Sequence, residues 1–267
     1  MRSSFKLLRR AERELMSRRH FLSNVLIGSS ALLLAGCNKL SNTKWFPKLL
    51  GSAETLSNHA QHLVTSRKSM AQEFTESDLS PHFRSNGTSN PNSEIYAKLA
   101  EGSFNDWSLK INGLVEKPME FTLAELKSLP NRTQITRHDC VEGWSAIAKW
   151  TGVPLHEIMA IVKPQTKARY AVFYCADPME DDGTQPYYES IDMEDVYHPQ
   201  TILAYALNDK PLPIANGAPI RLRVERQLGY KQAKYIMRIE LLESFDHIAG
   251  GKGGFWEDEG YTWYAGI

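Results

Sequence analysis

The sequence predicts a single mixed α+β domain. Short alternating apolar–polar runs and short capped helices follow one another without strict strand–helix–strand alternation, and neither an internal repeat nor a long linker follows residue 90. Composition sets the bounds: 267 residues, 42% hydrophobic and 23% charged, suit a soluble globular chain able to bury a sizeable core. Lys+Arg and Asp+Glu balance at 31 each, so net charge argues for neither nucleic acid nor an acidic membrane surface as main partner. Any basic site must be local. Three cysteines exclude a disulfide scaffold and leave each thiol to be explained singly.

Ser17-Arg18-Arg19-His20-Phe21-Leu22, followed by an uncharged apolar run from Val25 to Gly36, reads as a twin-arginine export signal. The run is short for a bilayer span, so residues 1–36 are set apart from the fold. Leu34-Ala35-Gly36-Cys37 resembles the lipobox of bacterial lipoproteins, which predicts a lipid anchor on Cys37; ordinary signal cleavage is the other reading. Residues 37–75 are polar and mixed and read as a tether and lead-in, and residues 76–267 as the folded domain.

Within that domain, residues 73–91 are rich in Ser, Asn, Gly and Pro and predict extended or turn structure. Glu94 to Ala100 suits a short helix, and Trp107 to Gly113 alternates and then ends on Asn-Gly, as a strand entering a turn. Thr122 with Glu125 forms a capping box, so a helix should run to Leu129, where Pro130 stops it. Thr133 to Arg137 is then a strand delivering Cys140. A helix over Leu155–Val162 and a strand over Ala168–Cys175 follow, then an acidic loop from Ala176 to Pro186. Thr201–Leu207 is a buried segment of either type, while Ile220–Glu225 and Lys234–Leu242 are strands.

Two constellations carry chemistry. In Arg137-His138-Asp139-Cys140-Val141-Glu142-Gly143-Trp144, a cysteine on a polar turn has Arg137 and His138 close by, a cationic neighbourhood that would favour the thiolate as ligand or nucleophile. Far down the chain, Asn216-Gly217-Ala218-Pro219-Ile220-Arg221 and Gly229-Tyr230-Lys231-Gln232-Ala233-Lys234 combine close-approach glycines with cations suited to a phosphate. Spacing alone favours a solvated basic face there, since Lys and Arg are mostly surface residues.

These blocks, with Trp-Thr-Gly-Val-Pro-Leu at 150–155, resemble the molybdopterin oxidoreductases of the sulfite oxidase fold, including the bacterial periplasmic protein-methionine-sulfoxide reductase catalytic subunits. The resemblance covers about residues 80–245 and implies a molybdenum–molybdopterin cofactor with Cys140 as metal ligand. It further implies that Asn216, Arg221, Gln232, Ala233 and Lys234 hold the pterin and its phosphate. Phe83-Arg84-Ser85-Asn86 resembles the Arg-Asn-His segment of sulfite oxidases, which adds Arg84 and Asn86, with Asn86 standing in place of the histidine.

Several roles stay open at this level. Cys175 falls where the reductases tend to carry threonine on the cofactor; it is a cofactor contact, a core cysteine, or a disulfide partner of Cys140. His138 either serves the cysteine and substrate or is a structural histidine. Glu142 would face the metal pocket as a proton relay. The aromatic C-terminal tail either covers the pocket rim, docks a redox partner, or simply packs on the domain.

The resemblance implies oxygen-atom transfer on a sulfur or nitrogen oxide, small or protein-bound. The chain holds no Cys-x-x-Cys-His, so electrons would pass to or from a separate membrane haem subunit or cytochrome. Export in the folded state suits a buried anionic cofactor, and a periplasmic protein follows. A monomer is expected, because the chain ends soon after the resemblance does. The reading from another class is a non-enzymatic periplasmic lipoprotein that binds a metal through His138 and Cys140, or only a protein partner.

Overall fold

The computed structural model describes residues 69–179 and 185–267, together with Thr43 and Trp45. The segments expected to be an export signal, a lipobox and most of a tether lie outside the described residues. The chain divides into two compact units, residues 1–61 and 62–267, and the elements below all lie in the second. Among the described residues no helix is long and apolar enough to cross a membrane.

Helix α1 (Glu94–Glu101) starts where the Ser93 hydroxyl accepts from the Tyr96 N–H, and buries Tyr96. Strand β1 (Ser108–Gly113) turns at Gly113 and pairs antiparallel with β2 (Met119–Thr122). The capping box at Thr122 and Glu125 then starts helix α2 (Leu123–Ser128). Strands β3 (Arg132–Asp139) and β4 (Ser145–Pro154) form a hairpin, and β4 runs directly into helix α3 (Leu155–Val162). Strands β5 (Tyr170–Pro178) and β6 (Pro186–Asp192) pair antiparallel, with helix α4 (Met193–Val196) after them. Strands β7 (Ile202–Leu207), β8 (Lys210–Pro211), β9 (Arg221–Arg223) and β10 (Ile236–Leu242) follow, and helix α5 (Phe255–Asp258) lies in the C-terminal segment.

These strands make two sheets. One has the order β2-β1-β10-β5-β6, with β1 and β10 parallel; the other runs β3-β4-β7-β8, with β9 also on β7. The larger core packs Leu109, Ile111, Ile158, Phe173, Ile239 and Leu241 from the first sheet and α3. The smaller gathers Ala148, Trp150, Ile202, Ala204 and Leu207 on the second. Trp107 and Trp150 are fully buried, each removing apolar area worth on the order of 4–6 kcal/mol before entropy is charged against it.

The α+β expectation agrees with this architecture, and the segment 201–207 resolves as strand β7. Four strands were not expected: the short β2 and β8, and the longer β4 and β6. Strand β4 interrupts its apolar pattern with Lys149, Thr151 and Gly152, and β6 reads as polar although its residues from Tyr187 to Ile191 are buried. Strand β5 also runs past Cys175 to Pro178, which carries Asp177 out of the expected loop and into the site.

Candidate functional site

Cys140 sits in the turn of the β3–β4 hairpin. Its N–H donates to the Trp144 carbonyl at 2.9 Å, and its own carbonyl accepts from the Gly143 N–H at 3.0 Å, so the two strands fix the sulfur in place. The turn opens onto a cleft enclosing about 750 Å³, mouth included. Its lining combines Asn86, Cys140, Glu142, Asp177, Gln232 and Lys234 with an aromatic side of Tyr187, Tyr230, Trp256 and Tyr261.

The expected cationic neighbourhood of the thiol is not there. Arg137 is exposed and occupied by Asp139, Nε to Oδ1 2.9 Å. His138 is fully buried, and its Nδ1 lies 2.9 Å from the Arg223 guanidinium, which can only donate. Burial, followed by the charges of Arg223 and Arg221, holds this imidazole well below the usual histidine range, hence neutral. Burial likewise pushes the Cys140 thiol up, with backbone N–H groups of Glu142 and Val141 and the charge of Arg84 working against it and the Glu142 carboxylate adding to it. On balance the surroundings therefore favour the thiol over the thiolate.

The basic group lies inside the protein. Arg221, Arg223 and Lys231 are 0% exposed and Lys234 only 6%, which overturns the solvated-face expectation. Two of these cations are neutralised: Arg223 by Glu225 at 2.5 Å, and Lys231 by Glu189 and Glu257, each at 2.5 Å. The other two have no carboxylate partner among the described residues. Arg221 donates to the carbonyls of Asn216 (3.1 Å) and Gln232 (3.3 Å), while its Nε is buried without a partner. Lys234 donates to the carbonyls of Asn86 (2.6 Å), Ala215 (3.2 Å) and Thr88.

Burial, followed by repulsion from Arg221, pulls Lys234 down to about 7 against the field of Asp177, and burial, followed by repulsion from Arg223, pulls Arg221 down to about 9. Burial pushes Asp177 up to about 7, with the charge of Lys234 working against it. Buried polar atoms here lack partners as well: Asn216 Nδ2, Asn86 Oδ1, His138 Nε2 and Asp177 Oδ1. Among the described residues, the cations without a carboxylate partner and the orphaned donors Asn216 Nδ2 and Arg221 Nε suit a polar anion, whereas the orphaned oxygens of Asn86 and Asp177 can only accept. Two glycines keep the wall thin. A Cβ on Gly229 would lie 2.6 Å from His138 Nε2, and Gly217, at φ +110°, has its Cβ position 2.9 Å from Lys234 Cβ.

A family model, the oxidoreductase molybdopterin binding domain, matches residues 97–247. The chain belongs to this family. It is 34% identical, over 95% of its length and 89% of the relative's, to a putative protein-methionine-sulfoxide reductase subunit YedZ1 of Azospira oryzae. It is 40% identical to the protein-methionine-sulfoxide reductase catalytic subunit of Xanthomonas axonopodis pv. citri over 54% of this chain and 47% of that one. The corresponding subunit of Ralstonia nicotianae is 36% identical over 57% and 50%. The chain thus spans about half the length of these catalytic subunits. Among solved structures, the sulfane dehydrogenase SoxCD from Paracoccus pantotrophus aligns at 25% identity and a TM-score of 0.48, over 52% of this chain and 39% of that one.

For a molybdopterin-binding fold, the residues singled out in the sequence divide by position. Cys140, Glu142, Asn86, Gln232 and Lys234 line the cleft. Asn216 and Arg221 stand behind it, joined to it through the Gln232 carbonyl. Ala233 is buried, with its carbonyl accepting from Leu222, and the Gln232 side chain donates to the Gln227 carbonyl, so both would meet a cofactor chiefly through backbone. Arg84 lies over the Trp144 ring at 5.4 Å and not in the cleft wall. Cys175 is buried in the larger core, both it and Cys140 are free, and burial pushes its thiol well up. His138 belongs to the scaffold beneath Gly229. Nothing in the sequence signalled Asp177 or Tyr187, while Trp256 and Tyr261 belong to the aromatic tail for which covering the pocket rim was one of the readings, and they line the cleft.

Proposed function

We propose that this chain is an exported molybdopterin-dependent oxidoreductase that catalyses oxygen-atom transfer and exchanges electrons with a separate haem partner. One observation carries the reading: Arg221 and Lys234 are buried cations without a carboxylate partner among the described residues, set in and behind the cleft that presents Cys140. A pterin phosphate would supply the missing charge, with charge-assisted bonds that water cannot compete for at this depth. Among the described residues, Asn216 Nδ2 and Arg221 Nε are donors without a partner there.

When bound, the molybdenum–pterin group supplies two-electron oxygen-atom chemistry. Cys140 would hold the metal through sulfur. Among the described residues no group of three or more His, Cys, Asp and Glu side chains is placed to hold a metal, so the pterin sulfurs would complete its ligands. Glu142 stands at the cleft, its carboxylate fixed by the Trp144 indole N–H at 3.0 Å, and would pass protons between bulk water and the substrate oxygen. Tyr187, Tyr230, Trp256 and Tyr261 would give the cleft an aromatic side.

The lining also bears on substrate. Its one cation among the described residues, Lys234, would be taken up by the cofactor phosphate, and the rest of the lining carries Glu142 beside aromatic and uncharged side chains. That composition favours an uncharged organic sulfoxide over an inorganic oxyanion such as sulfite. The twin-arginine motif and lipobox support periplasmic placement with a lipid anchor. The test uses purified, exported protein with two assays, sulfoxide reduction driven by a reduced viologen and sulfite oxidation driven by ferricyanide. Turnover in the first that is lost in Cys140→Ser is expected; turnover in neither would reject the reading.

A further inference from the structure

The C-terminal segment Gly250–Ile267 lies beyond the residues that the family model matches, yet Trp256 and Tyr261 from it line the cleft beside Cys140. We propose that this segment is a strap forming the substrate-facing wall, that Trp256 and Tyr261 determine specificity for an uncharged organic sulfoxide, and that Lys231 positions the strap through Glu257. The inference rests on the oxidoreductase reading of the cleft.

The anchoring is concentrated on the buried side. Lys231 Nζ lies 2.5 Å from both Glu189 of β6 and Glu257 of α5, and none of the three side chains is more than 1% exposed. One lysine shared by two carboxylates is a demanding arrangement to bury, since each partner left alone would be an uncompensated charge. Here it ties strap to sheet. Around it, the Trp263 indole N–H donates to Ser190 Oγ at 2.8 Å and the Tyr230 hydroxyl donates to the Thr262 carbonyl at 2.7 Å. Asp258 receives the N–H groups of Gly250 (2.9 Å) and Lys252 (3.0 Å), closing the strap on itself, and the Tyr188 hydroxyl as well.

Held from behind, the strap presents aromatic faces in front. Tyr261 packs edge-on against Tyr230 with centroids 5.2 Å apart and lies 5.4 Å from Trp256 at 32°. Flat, weakly polar walls of this kind grip the carbon substituents of a sulfoxide and leave its oxygen free to point at the metal side.

The experiment compares wild type with Trp256→Ala, Trp256→Phe, Tyr261→Ala and Glu257→Gln, using methyl p-tolyl sulfoxide and reduced viologen. The balance is one sulfoxide, two protons and two electrons to one sulfide and one water. Trp256→Ala and Tyr261→Ala should each raise KM about tenfold while kcat and molybdenum content hold, with Trp256→Phe restoring most of the loss. Glu257→Gln, which keeps the Lys231–Glu189 pair, should raise KM likewise and expose the bond after Lys252 to trypsin. Unchanged KM in both alanine variants would overturn the specificity assignment, and a Glu257→Gln strap as trypsin-resistant as wild type would overturn the Lys231 clasp. Wild-type protein free of molybdenum would sink the oxidoreductase reading instead, and the strap's anchoring would then stand or fall on the tryptic result.

Discussion

Replacing Arg221 with methionine should stabilise the cofactor-free protein and empty the cofactor-loaded one. The side chain is fully buried, stacks 5.1 Å from the Trp150 centroid, and has only carbonyl partners. Methionine fills much of the same volume, and removing an unpaired buried charge that also repels Arg223 is expected to be neutral or stabilising by about 1–4 kcal/mol. In the loaded protein the same change strips a charge-assisted contact to a buried anion, costing about 2–5 kcal/mol of binding. That is roughly 30- to 4,000-fold in retention. Arg223→Met, two residues away, should do the reverse, because it strands Glu225 at 0% exposure and destabilises the fold by about 3–5 kcal/mol. The assay is the molybdenum-to-protein ratio of each purified variant beside thermal melts of the cofactor-free forms. Undiminished molybdenum in Arg221→Met would refute the assignment.

Cys140→Ser should abolish oxygen transfer while leaving fold and pterin largely in place, because a hydroxyl cannot replace thiolate donation; activity assays with pterin fluorescence after denaturation check this. Arg18→Lys with Arg19→Lys should leave folded, loaded protein in the cytoplasm, as read by fractionation, and normal export would show that the motif is not the signal. In the cofactor-free protein, Asp177 holds its proton up to about 7 while the unfolded chain loses it near 3.8, so this group removes stability as pH rises between them. Lys234 loses its proton near 7 in the fold but near 10.5 unfolded, so stability returns over that interval. Melts of cofactor-free protein should therefore dip near pH 7, with the falling limb absent in Asp177→Asn; a curve unaltered by that substitution would contradict the sign.

What the sequence displayed was local chemistry. The capping box at Thr122, the limits of the helix over Leu155–Val162 and the strand leading to Cys140 depend on neighbours within a few positions, and all were legible. Burial of charge was not. The partners of Lys231 lie 42 and 26 residues away, so its neutralisation by Glu189 and Glu257 is a product of topology, and isolated Lys and Arg in a motif look like surface. The same reason hid Asp177, whose strand extends beyond the apolar run, and left open which of three roles the aromatic tail plays, since its residues meet the cleft only when the tail folds back. For His138, proximity to Cys140 in sequence left a role at the cysteine and a structural role both open; only the fold shows that burial, with Arg223 beside it, keeps the ring neutral.

The most direct measurement is elemental and pterin analysis of the full chain purified after export. Stoichiometric molybdenum, with pterin fluorescence released on denaturation, is the predicted result. Copper, zinc or no metal, with no pterin, would contradict the account and return Cys140 and the unpaired pair Arg221 and Lys234 to another ligand.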